Sequence, residues 1–460
     1  MLRSCSLLFL AAAALAAAPC DLVVCGRYVV TMATPRRVIE NGAVAIRGER
    51  IVAVGTRAEI DRAWQPSRRI DRPNALIAPG LINTHTHAAM SLFRGIADDL
   101  KLQDWLNNFI FPAEARNVSP DFVRQGTRLA CLEMLLSGTT TFTDMYYFED
   151  VVAEAAKEAG MRGVLGETVI GFPVSDAKTP ADALKLSEKF LTRFHNDPLI
   201  VPAIAPHALY TNSDESLKGA RALANKYNAP ILIHLSETKK ENDDNFAKRH
   251  QTPTQTLNSL GFFNGRTVAA HCVWVDAGDR AILKAAHVGV AHCPSSNMKL
   301  ASGAAPVVDL LKAGINVGLG TDGPAGSNND FDMFEEADLA AKLQKLVRSD
   351  PEALPAAQAF ELATIGGARV LGMEKEIGSL EAGKRADLVT VDLNAPNAVP
   401  LYDVYSQLVY ALKGSNVLDV VVNGRQVVRD RRCLTLDSDT VIAKAREYGI
   451  KVAASVKQKH

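Results

Sequence analysis

Five short stretches of this chain place a histidine or an aspartate directly after an apolar, strand-like run. They are Thr84-His85-Thr86-His87, Ile233-His234, Ala270-His271, Ala291-His292 and Gly320-Thr321-Asp322. Histidine is scarce, with 10 copies in 460 residues, which makes its recurrence at the ends of apolar runs informative. In a closed barrel of parallel strands, the strand ends that face one mouth together form the active site. The pattern therefore favours a parallel barrel whose strands end at one shared edge.

Apolar runs alternate with helix-like segments through the centre of the chain. We predict eight strands, at residues 76–82, 139–143, 162–165, 200–205, 231–233, 267–270, 288–291 and 315–319. One intervening helix begins at Ser119-Pro120, where serine can cap the helix and proline suits its first turn. Eight strands that alternate with helices predict an α/β fold, a closed (β/α)8 or TIM barrel. An open, doubly wound sheet is the alternative, but no glycine-rich phosphate loop follows the first strand.

The two ends of the chain have a different texture from its centre. Short β-like runs punctuated by glycines occupy residues 19–78 and return in residues 372–435. We expect these two parts to pair into one discontinuous β-sandwich domain beside a barrel formed by residues 79–371. Residues 436–460 are expected to form a helical tail.

The first eighteen residues have the pattern of a secretory signal peptide. Arg3 precedes an apolar run at residues 7–15, and Ala14-Leu15-Ala16 offers a small-residue cleavage site. The run is too short to span a membrane. An ordinary apolar N-terminus is the alternative, and Pro19 in front of Cys20 argues against a lipoprotein site. We therefore expect residues 1–18 to be removed and the mature protein to be periplasmic or secreted.

Composition narrows the classes of partner. The chain is 47% hydrophobic and 22% charged, which is typical of a globular protein with a sizeable core. Lysine plus arginine equals aspartate plus glutamate at 51 each, so no charge excess would attract nucleic acid or an anionic membrane. The cysteines are dispersed without a CxxC pair, although Cys20 and Cys25 could pair in an oxidising compartment. We expect a small-molecule substrate and a homo-oligomer, with no nucleic-acid partner and no stable membrane association after signal cleavage.

His85 and His87 are two residues apart on an extended segment, so both side chains project from the same face. A lone HxH pair is a weak signal, but this pair ends an apolar strand and can bind one metal ion. His234 after the fifth strand and Asp322 after the eighth would complete a set of three nitrogens and one oxygen, with a position open for water. A divalent metal at such a site lowers the pKa of bound water to about 7. These residues indicate a metal-dependent hydrolase.

The order of these motifs resembles the amidohydrolase superfamily. The chain contains, in order, GLINTHTH, IHLSETKKE, AHCVWV, HCPSSNMKL and GLGTDG. Within the superfamily it is similar to the methylthioadenosine/S-adenosylhomocysteine deaminases and to related chlorohydrolases and cytosine-deaminase-like enzymes. The resemblance extends from residue 21 to about residue 430. It implies a barrel flanked by a composite β-sandwich and one zinc or iron ion per chain, with zinc favoured.

The resemblance also implies a role for each residue that matches a family motif. The metal ligands match His85, His87, His234 and Asp322. Glu237 matches the group that carries a proton to the ring nitrogen, and His271 matches the group that polarises the attacking hydroxide or holds the tetrahedral centre. Asp322 would also act as the base that takes the water proton and delivers it to departing ammonia. The fourth strand ends without a lysine that could bridge two metals, which favours one ion over two.

Two further matches concern the substrate. Glu114 and His207 match family positions that contact substrate, and the Glu114 carboxylate could accept hydrogen bonds from ribose hydroxyls. A salt-bridged surface glutamate and a satisfied histidine at the barrel mouth are the alternatives, and His292 is left as either a supporting or a structural residue. Glu167 lies where relatives that accept S-adenosylhomocysteine carry an arginine, and a carboxylate there would repel an amino-acid tail. We therefore expect ammonia release from methylthioadenosine or adenosine.

Other activities stay open at this level. Deamination of a free base or pterin, such as guanine or 8-oxoguanine, and triazine-type chlorohydrolysis would use the same metal set. A non-catalytic scaffold on the same fold is disfavoured because the full set of ligand and catalytic residues is intact. A cytidine-deaminase-type zinc enzyme is excluded, since the chain lacks HxE followed by PCxxC.

Overall fold

The computed structural model describes residues 17–457. The predicted signal peptide, apart from its last two residues, lies outside the described residues. The strands within 17–457 form two eight-stranded sheets. In chain order they are β1 (Ala18–Val30), β2 (Val38–Arg47), β3 (Arg50–Thr56), β4 (Trp64–Pro79), β5 (Leu81–Thr86), β6 (Thr139–Tyr146), β7 (Arg162–Val169), β8 (Ile200–Pro206), β9 (Ile231–Leu235), β10 (Thr267–His271), β11 (Gly289–His292), β12 (Val317–Leu319), β13 (Leu388–Asp392), β14 (Val417–Val422), β15 (Arg425–Arg429) and β16 (Arg432–Cys433).

Helices connect strands in both sheets, and one follows the last strand. They are α1 (Arg57–Ala63), α2 (Leu102–Trp105), α3 (Phe111–Asn117), α4 (Pro120–Leu136), α5 (Glu149–Ala159), α6 (Pro180–Arg193), α7 (Asp214–Tyr227), α8 (Lys239–Arg249), α9 (Pro253–Ser259), α10 (Ala277–Ala285), α11 (Pro294–Lys299), α12 (Val307–Lys312), α13 (Met333–Arg348), α14 (Ala356–Glu361), α15 (Gly367–Val370), α16 (Val404–Ser406) and α17 (Ser438–Lys457). Short π-helical turns occupy Leu106–Ile110, Leu362–Gly366 and Gln407–Ala411. None of the helices within 17–457 combines the length and apolar character that a membrane crossing requires.

The start of α4 shows how local chemistry sets an element. The Ser119 hydroxyl accepts a hydrogen bond from the backbone N–H of Phe122, 3.2 Å away, and Pro120 occupies the first helical position. Both features satisfy or remove donors that a helix N-terminus leaves unpaired. The predicted cap and first turn are confirmed.

Strands β5 to β12 form the predicted barrel. They are hydrogen-bonded in sequence order, and each neighbouring pair is parallel. The ring closes at a seam between β5 and β12, where the Thr84 hydroxyl donates to Leu319 O at 2.8 Å. Just beyond the strand, Asp322 N donates to His85 O at 2.9 Å. The (β/α)8 fold is therefore confirmed, and the seam brings the first strand end beside the last.

The second sheet joins the two ends of the chain. Its order is β16-β15-β14-β13-β4-β1-β2-β3, and β13 pairs antiparallel with β4, with Leu388 opposite Pro79. One apolar cluster takes side chains from both halves, including Val24 and Ile46 from the N-terminal part and Val421 from the C-terminal part. The predicted β domain built from both ends is confirmed, and it is one mixed sheet.

The first predicted barrel strand, residues 76–82, is corrected by the structure. Strand β4 ends at Pro79 in the mixed sheet, and β5 begins at Leu81 in the barrel. Gly80 makes the passage between the two sheets, where a Cβ atom would lie 2.2 Å from the Thr140 hydroxyl oxygen. The apolar run is continuous because both sheets are buried there, so the pattern contains no signal for the switch.

The cysteines within 17–457 are free thiols. Cys20 and Cys25 lie five residues apart on the single extended strand β1, which separates them by about 16 Å at roughly 3.3 Å per residue. A disulfide needs Cα atoms less than about 7 Å apart. A bond between these two thiols is therefore excluded while β1 is formed.

Candidate active site

The carboxyl ends of the barrel strands bring the predicted ligands together. His85 lies on β5 with His87 just after it, His234 lies on β9, and Asp322 follows β12 across the seam. Asp322 Oδ1 is 3.3 Å from Nε2 of both His85 and His87. His234 Nε2 is 3.3 Å from His87 Nε2. Three imidazole nitrogens and one carboxylate oxygen thus converge on one point.

These residues fit a bound metal ion. Potential donor atoms fall within 4.8 Å of one another in two groups that share His85, one with His87 and Asp322 and one with His234 and His271. His85 Nε2 is buried and makes no hydrogen bond to any described residue. A buried nitrogen lone pair without a donor is costly unless another group satisfies it. Imidazole nitrogens and a carboxylate are ligands that zinc accepts.

Hydrogen bonds to backbone carbonyls fix the orientation of two of the rings. His87 Nδ1 donates to Met145 O and His234 Nδ1 donates to His207 O, each at 2.7 Å. Because a carbonyl oxygen can only accept, Nδ1 of each ring carries a hydrogen, and Nε2 is the ring nitrogen that faces the site. Metal-binding histidines commonly use such a second contact to set their tautomer.

Burial and mutual contacts set the charges of this cluster. Burial lowers the pKa of His85 to about 4, and it holds the pKa of His234 well below its usual value. Burial also opposes a charge on His87, but the hydrogen bond to Asp322 outweighs it and raises the pKa of His87 to about 9. Burial disfavours the Asp322 charge too, yet His85 and His87 hold its pKa well below the usual value. Asp322 is thus kept as a carboxylate.

The proposed proton carrier Glu237 lies inside the same pocket. Its carboxylate accepts from the Ser302 hydroxyl at 3.5 Å and lies 3.9 Å from His271 Nε2. It is 3% exposed, and burial raises its pKa. The turn that carries it is held by Glu241, whose carboxylate accepts from the backbone N–H groups of Ser236 and Glu237. A buried carboxyl whose pKa is raised suits both uptake and release of a proton.

Two residues that were not predicted from the sequence, Ser296 and Asn297, orient Asp322 and His271. His271 Nδ1 is 2.9 Å from Asn297 Oδ1, and the Ser296 hydroxyl donates to Asp322 Oδ2 at 2.6 Å. Both contacts come from α11, inside the motif HCPSSNMKL, which was recognised only as a family signature. The polar pair Ser296-Asn297, four and five residues after the predicted mouth histidine His292, was the available signal.

The pocket extends from these groups to a wall made by helices. Its lining includes the ligands His87, His234 and Asp322, the acid Glu237 with His271, and the side chains Leu102, Trp105, Leu106, Ile110, Phe111, Glu114, Tyr146, Tyr147, Thr168, His207, Tyr210 and Leu300. The apolar members come mainly from α2, α3 and the π-helical turn between them. Glu114 and His207, the two predicted substrate contacts, both line this pocket.

Glu114 is buried within the helical wall and is not a surface glutamate. It is 5% exposed, and its two oxygens accept from the Tyr146 hydroxyl at 2.7 Å and the Tyr147 hydroxyl at 3.4 Å. Burial raises its pKa to about 7. His207 is half-buried with Nδ1 3.0 Å from the Thr211 hydroxyl, and burial lowers its pKa to about 3. Tyr146 and Tyr147 were not identified from the sequence.

The inference drawn from Glu167 is wrong. On β7 the neighbouring Thr168 lines the pocket, so Glu167 projects to the opposite side of the strand. There its carboxylate accepts from the backbone N–H of Glu149 at 3.1 Å. A carboxylate in that position cannot repel a substrate tail in the pocket, and the argument against S-adenosylhomocysteine loses its basis.

His292 lies outside the pocket lining. It is fully buried on β11, and neither ring nitrogen bonds any residue that the structure describes. Burial lowers its pKa to about 3, so the ring is neutral. Its place in the barrel interior agrees with a structural role.

Family comparison agrees with the fold and with this arrangement of strand-end ligands. A model of the amidohydrolase family matches residues 76–427, and a model of the imidazolonepropionase-like composite domain of bacteria matches residues 42–64. The chain belongs to the amidohydrolase family. The predicted class is thereby confirmed: a hydrolase that acts on carbon–nitrogen bonds of cyclic amidines.

Individual relatives narrow the comparison. The chain is 46% identical over 438 residues to 5-methylthioadenosine/S-adenosylhomocysteine deaminase 1 of Syntrophus aciditrophicus (strain SB), covering 95% of this chain and 99% of the relative. Among solved structures, it is similar to an adenosine deaminase from Xanthomonas campestris with bound zinc, at 41% identity and a TM-score of 0.93, covering 95% of this chain and 100% of that one. The atrazine chlorohydrolase of Arthrobacter aurescens TC1, complexed with zinc, is 25% identical with a TM-score of 0.84, covering 93% and 100%.

Proposed function

We propose that this chain is a zinc-dependent hydrolytic deaminase that releases ammonia from an adenosine-type nucleoside, such as methylthioadenosine or adenosine. The observation that carries the proposal is one pocket that holds both the ligand cluster with Glu237 and, on its helical wall, the buried carboxylate Glu114. The first set suits hydrolysis of an amidine, and the second suits recognition of sugar hydroxyls. Relatives named for these substrates, similar over nearly the whole chain, support the proposal.

A divalent ion would be held by His85, His87, His234 and Asp322. When bound there, it would lower the pKa of a water molecule toward about 7. Asp322 accepts the proton that water loses, because its carboxylate stays charged, and later passes it to the leaving ammonia. Glu237 delivers a proton to the ring nitrogen of the purine and recovers one from the added oxygen as the product carbonyl forms. His271 presents Nε2 to the oxygen that adds to the ring carbon. Hydrolysis at neutral pH needs these three proton and charge assignments together.

Glu114 supplies recognition of the sugar. The Tyr146 and Tyr147 hydroxyls hold its two oxygens, so the carboxylate enters the pocket in one orientation. A ribose with two adjacent hydroxyls can donate to such a carboxylate. The apolar wall formed by Leu102, Trp105 and Leu106 then suits the purine and an apolar 5′ substituent.

Ammonia release over a substrate panel tests the proposal. Zinc-loaded protein is assayed with adenosine, methylthioadenosine, S-adenosylhomocysteine, guanine, 8-oxoguanine, a pterin and a chlorotriazine, the last followed by chloride release. We expect the highest kcat/KM for an adenosine-type nucleoside. A higher kcat/KM for a free base, a pterin or the triazine would replace the nucleoside assignment with that activity and leave the amidohydrolase class intact.

We also propose that the protein is exported and works in the periplasm or outside the cell. The support is the pattern of Arg3, the apolar run and the small-residue site in the first eighteen residues. Cell fractionation, with mass spectrometry of the N-terminus of the recovered protein, tests it. A chain that stays in the cytoplasm with residues 1–18 attached would contradict export. The homo-oligomer stays a prediction, which light scattering on the purified protein tests.

A further inference from the structure

One short segment after β11 touches each of the three side chains that handle protons and charge. Residues 296–302, called here the positioning segment, comprise the end of α11 and the turn that follows it. The segment hydrogen-bonds all three groups, by Ser296 to Asp322, Asn297 to His271 and Ser302 to Glu237. The three groups themselves come from three different barrel strands.

We propose that the positioning segment sets the relative orientation of Asp322, His271 and Glu237, and that Asn297 is its principal positioning residue. The inference rests on the proposed function, since that assigns the three groups their tasks. Residues of the positioning segment touch no reacting atom and act by orienting Asp322, His271 and Glu237.

The contact between Asn297 and His271 determines which ring nitrogen faces the pocket. Asn297 Oδ1 is 2.9 Å from His271 Nδ1, and an amide oxygen can only accept, so Nδ1 carries the hydrogen. Nε2 is then the nitrogen that points into the site, 3.9 Å from Glu237 Oε2. Without this acceptor, a neutral imidazole could place its hydrogen on either nitrogen, and the ring could turn.

The burial of Asn297 makes its amide group costly, and the contact with His271 is what that amide provides. The residue is fully buried, and its Nδ2 makes no hydrogen bond to any part of the chain that the structure describes. A buried amide nitrogen without an acceptor destabilises a fold, and an apolar side chain of similar size would avoid that cost. The amide oxygen bound to His271 is therefore the feature that an apolar residue could not replace.

The segment is itself anchored, as a positioning element must be. The Ser302 backbone N–H donates to Asn297 O at 2.9 Å, which folds the turn back on the helix. Trp274 Nε1 donates to Ser302 O at 2.7 Å, and the Trp274 backbone N–H donates to Ser236 O at 2.9 Å. The segment is thus tied to the β9 turn that carries Glu237.

Two substitutions at Asn297 distinguish the effect of its acceptor oxygen from the effect of its side-chain size. Asn297→Leu keeps similar size and removes the acceptor, whereas Asn297→Asp keeps an acceptor oxygen. We expect Asn297→Leu to lower kcat by roughly 10–100-fold, the loss typical of partners that orient site residues, with KM changed less than about threefold. Asn297→Asp should recover most of that loss. Ser295→Ala is the matched control, because Ser295 lies on α11 but contacts Glu336 rather than the site.

Nitrogen-15 NMR of histidine-labelled, zinc-loaded protein reads the tautomer without any substrate. His271, assigned by comparison with His271→Gln, should show a protonated Nδ1 in the native chain and in Asn297→Asp, and a changed pattern in Asn297→Leu. If the native enzyme turns over no aminated purine, the proposed function fails and the tautomer measurement still decides this inference. An unchanged tautomer in Asn297→Leu overturns it, and so does an unchanged kcat. Asn297→Ala replaces the leucine variant should the latter not fold.

Discussion

The two walls of the pocket are built in different ways. The ion-facing wall uses side chains at barrel strand ends, and backbone carbonyls of neighbouring strands orient His87 and His234. The substrate wall uses helices and turns after β5, and there the Glu114 carboxylate accepts hydrogen bonds from the side chains of Tyr146, which ends β6, and of Tyr147. A backbone framework changes little when side chains vary, so the reaction can persist while the helical wall adapts to new substrates. That division agrees with a triazine-directed relative having the same fold at low identity.

Removing a ligand from the ion-facing wall should have the largest effect. We expect His234→Ala to lose bound zinc and essentially all activity together, because its Nε2 is one of the converging donors. Metal analysis of purified protein measures the loss, and the native chain should hold about one zinc per chain. His195→Ala, an exposed histidine far from the pocket lining, is the matched control. Two tightly held ions per active chain would contradict the single site.

Changing the proton carrier should separate metal binding from turnover on the same wall. We expect Glu237→Gln to retain zinc and lose roughly 10²–10⁴-fold in kcat, because an amide can accept from Ser302 but cannot carry a proton. Parallel metal analysis and steady-state kinetics measure both quantities. Near-native kcat with full zinc would make Glu237 a structural residue.

The strand-end residues were predictable because their signal is local. An apolar run followed by histidine or aspartate indicates both a strand and the polar residue at its carboxyl end. Because those ends meet at one mouth of a parallel barrel, the cluster of His85 and Asp322 could be predicted. The contacts of Ser302 with Glu237 and of Tyr146 with Glu114 join separate segments of the chain and leave no such local mark, which is why these two residues were missed. Glu167 failed for a different reason: side chains alternate along a strand, and the sequence alone did not show which face of β7 borders the pocket.

On the substrate wall, a substitution should distinguish substrates rather than abolish chemistry. We expect Glu114→Ala to lower kcat/KM for the nucleoside by roughly 10–100-fold and to change free-base turnover little, because only the nucleoside offers hydroxyls to that carboxylate. Zinc content should be unchanged. The control is Tyr147→Phe, which removes the longer of the two contacts and should cost less. Equal losses for nucleoside and free base would remove Glu114 from sugar recognition.

The smallest effect is expected behind the substrate wall, at a pair of buried acids. Burial raises the pKa of Glu149 and of Glu167 well above 4.5, and both Glu149 oxygens lack a donor among the described residues. Above about pH 4.5 the folded chain therefore binds more protons than the unfolded chain, and stability falls as pH rises through the folded pKa values.

Glu149→Gln removes one of these ionisable groups and tests whether stability falls as pH rises. We expect the Tm of the variant relative to the native chain to increase between pH 5 and pH 8, by roughly 1–3 °C. Differential scanning calorimetry at several pH values measures the difference. A Tm difference that stays constant with pH would mean that Glu149 holds no extra proton in the folded chain.

The seam between β5 and β12 has a consequence for biosynthesis. His85 and His87 belong to the first barrel strand and Asp322 follows the last, and Asp322 N bonds His85 O. A nascent chain in which β12 and Asp322 have not yet been synthesised therefore lacks a complete ligand set. A metal site also rarely exists in an unfolded chain. Closure of the barrel and binding of the metal ion therefore both follow the synthesis of β12. If the chain crosses the membrane unfolded, its metal ion must come from the compartment in which the chain arrives.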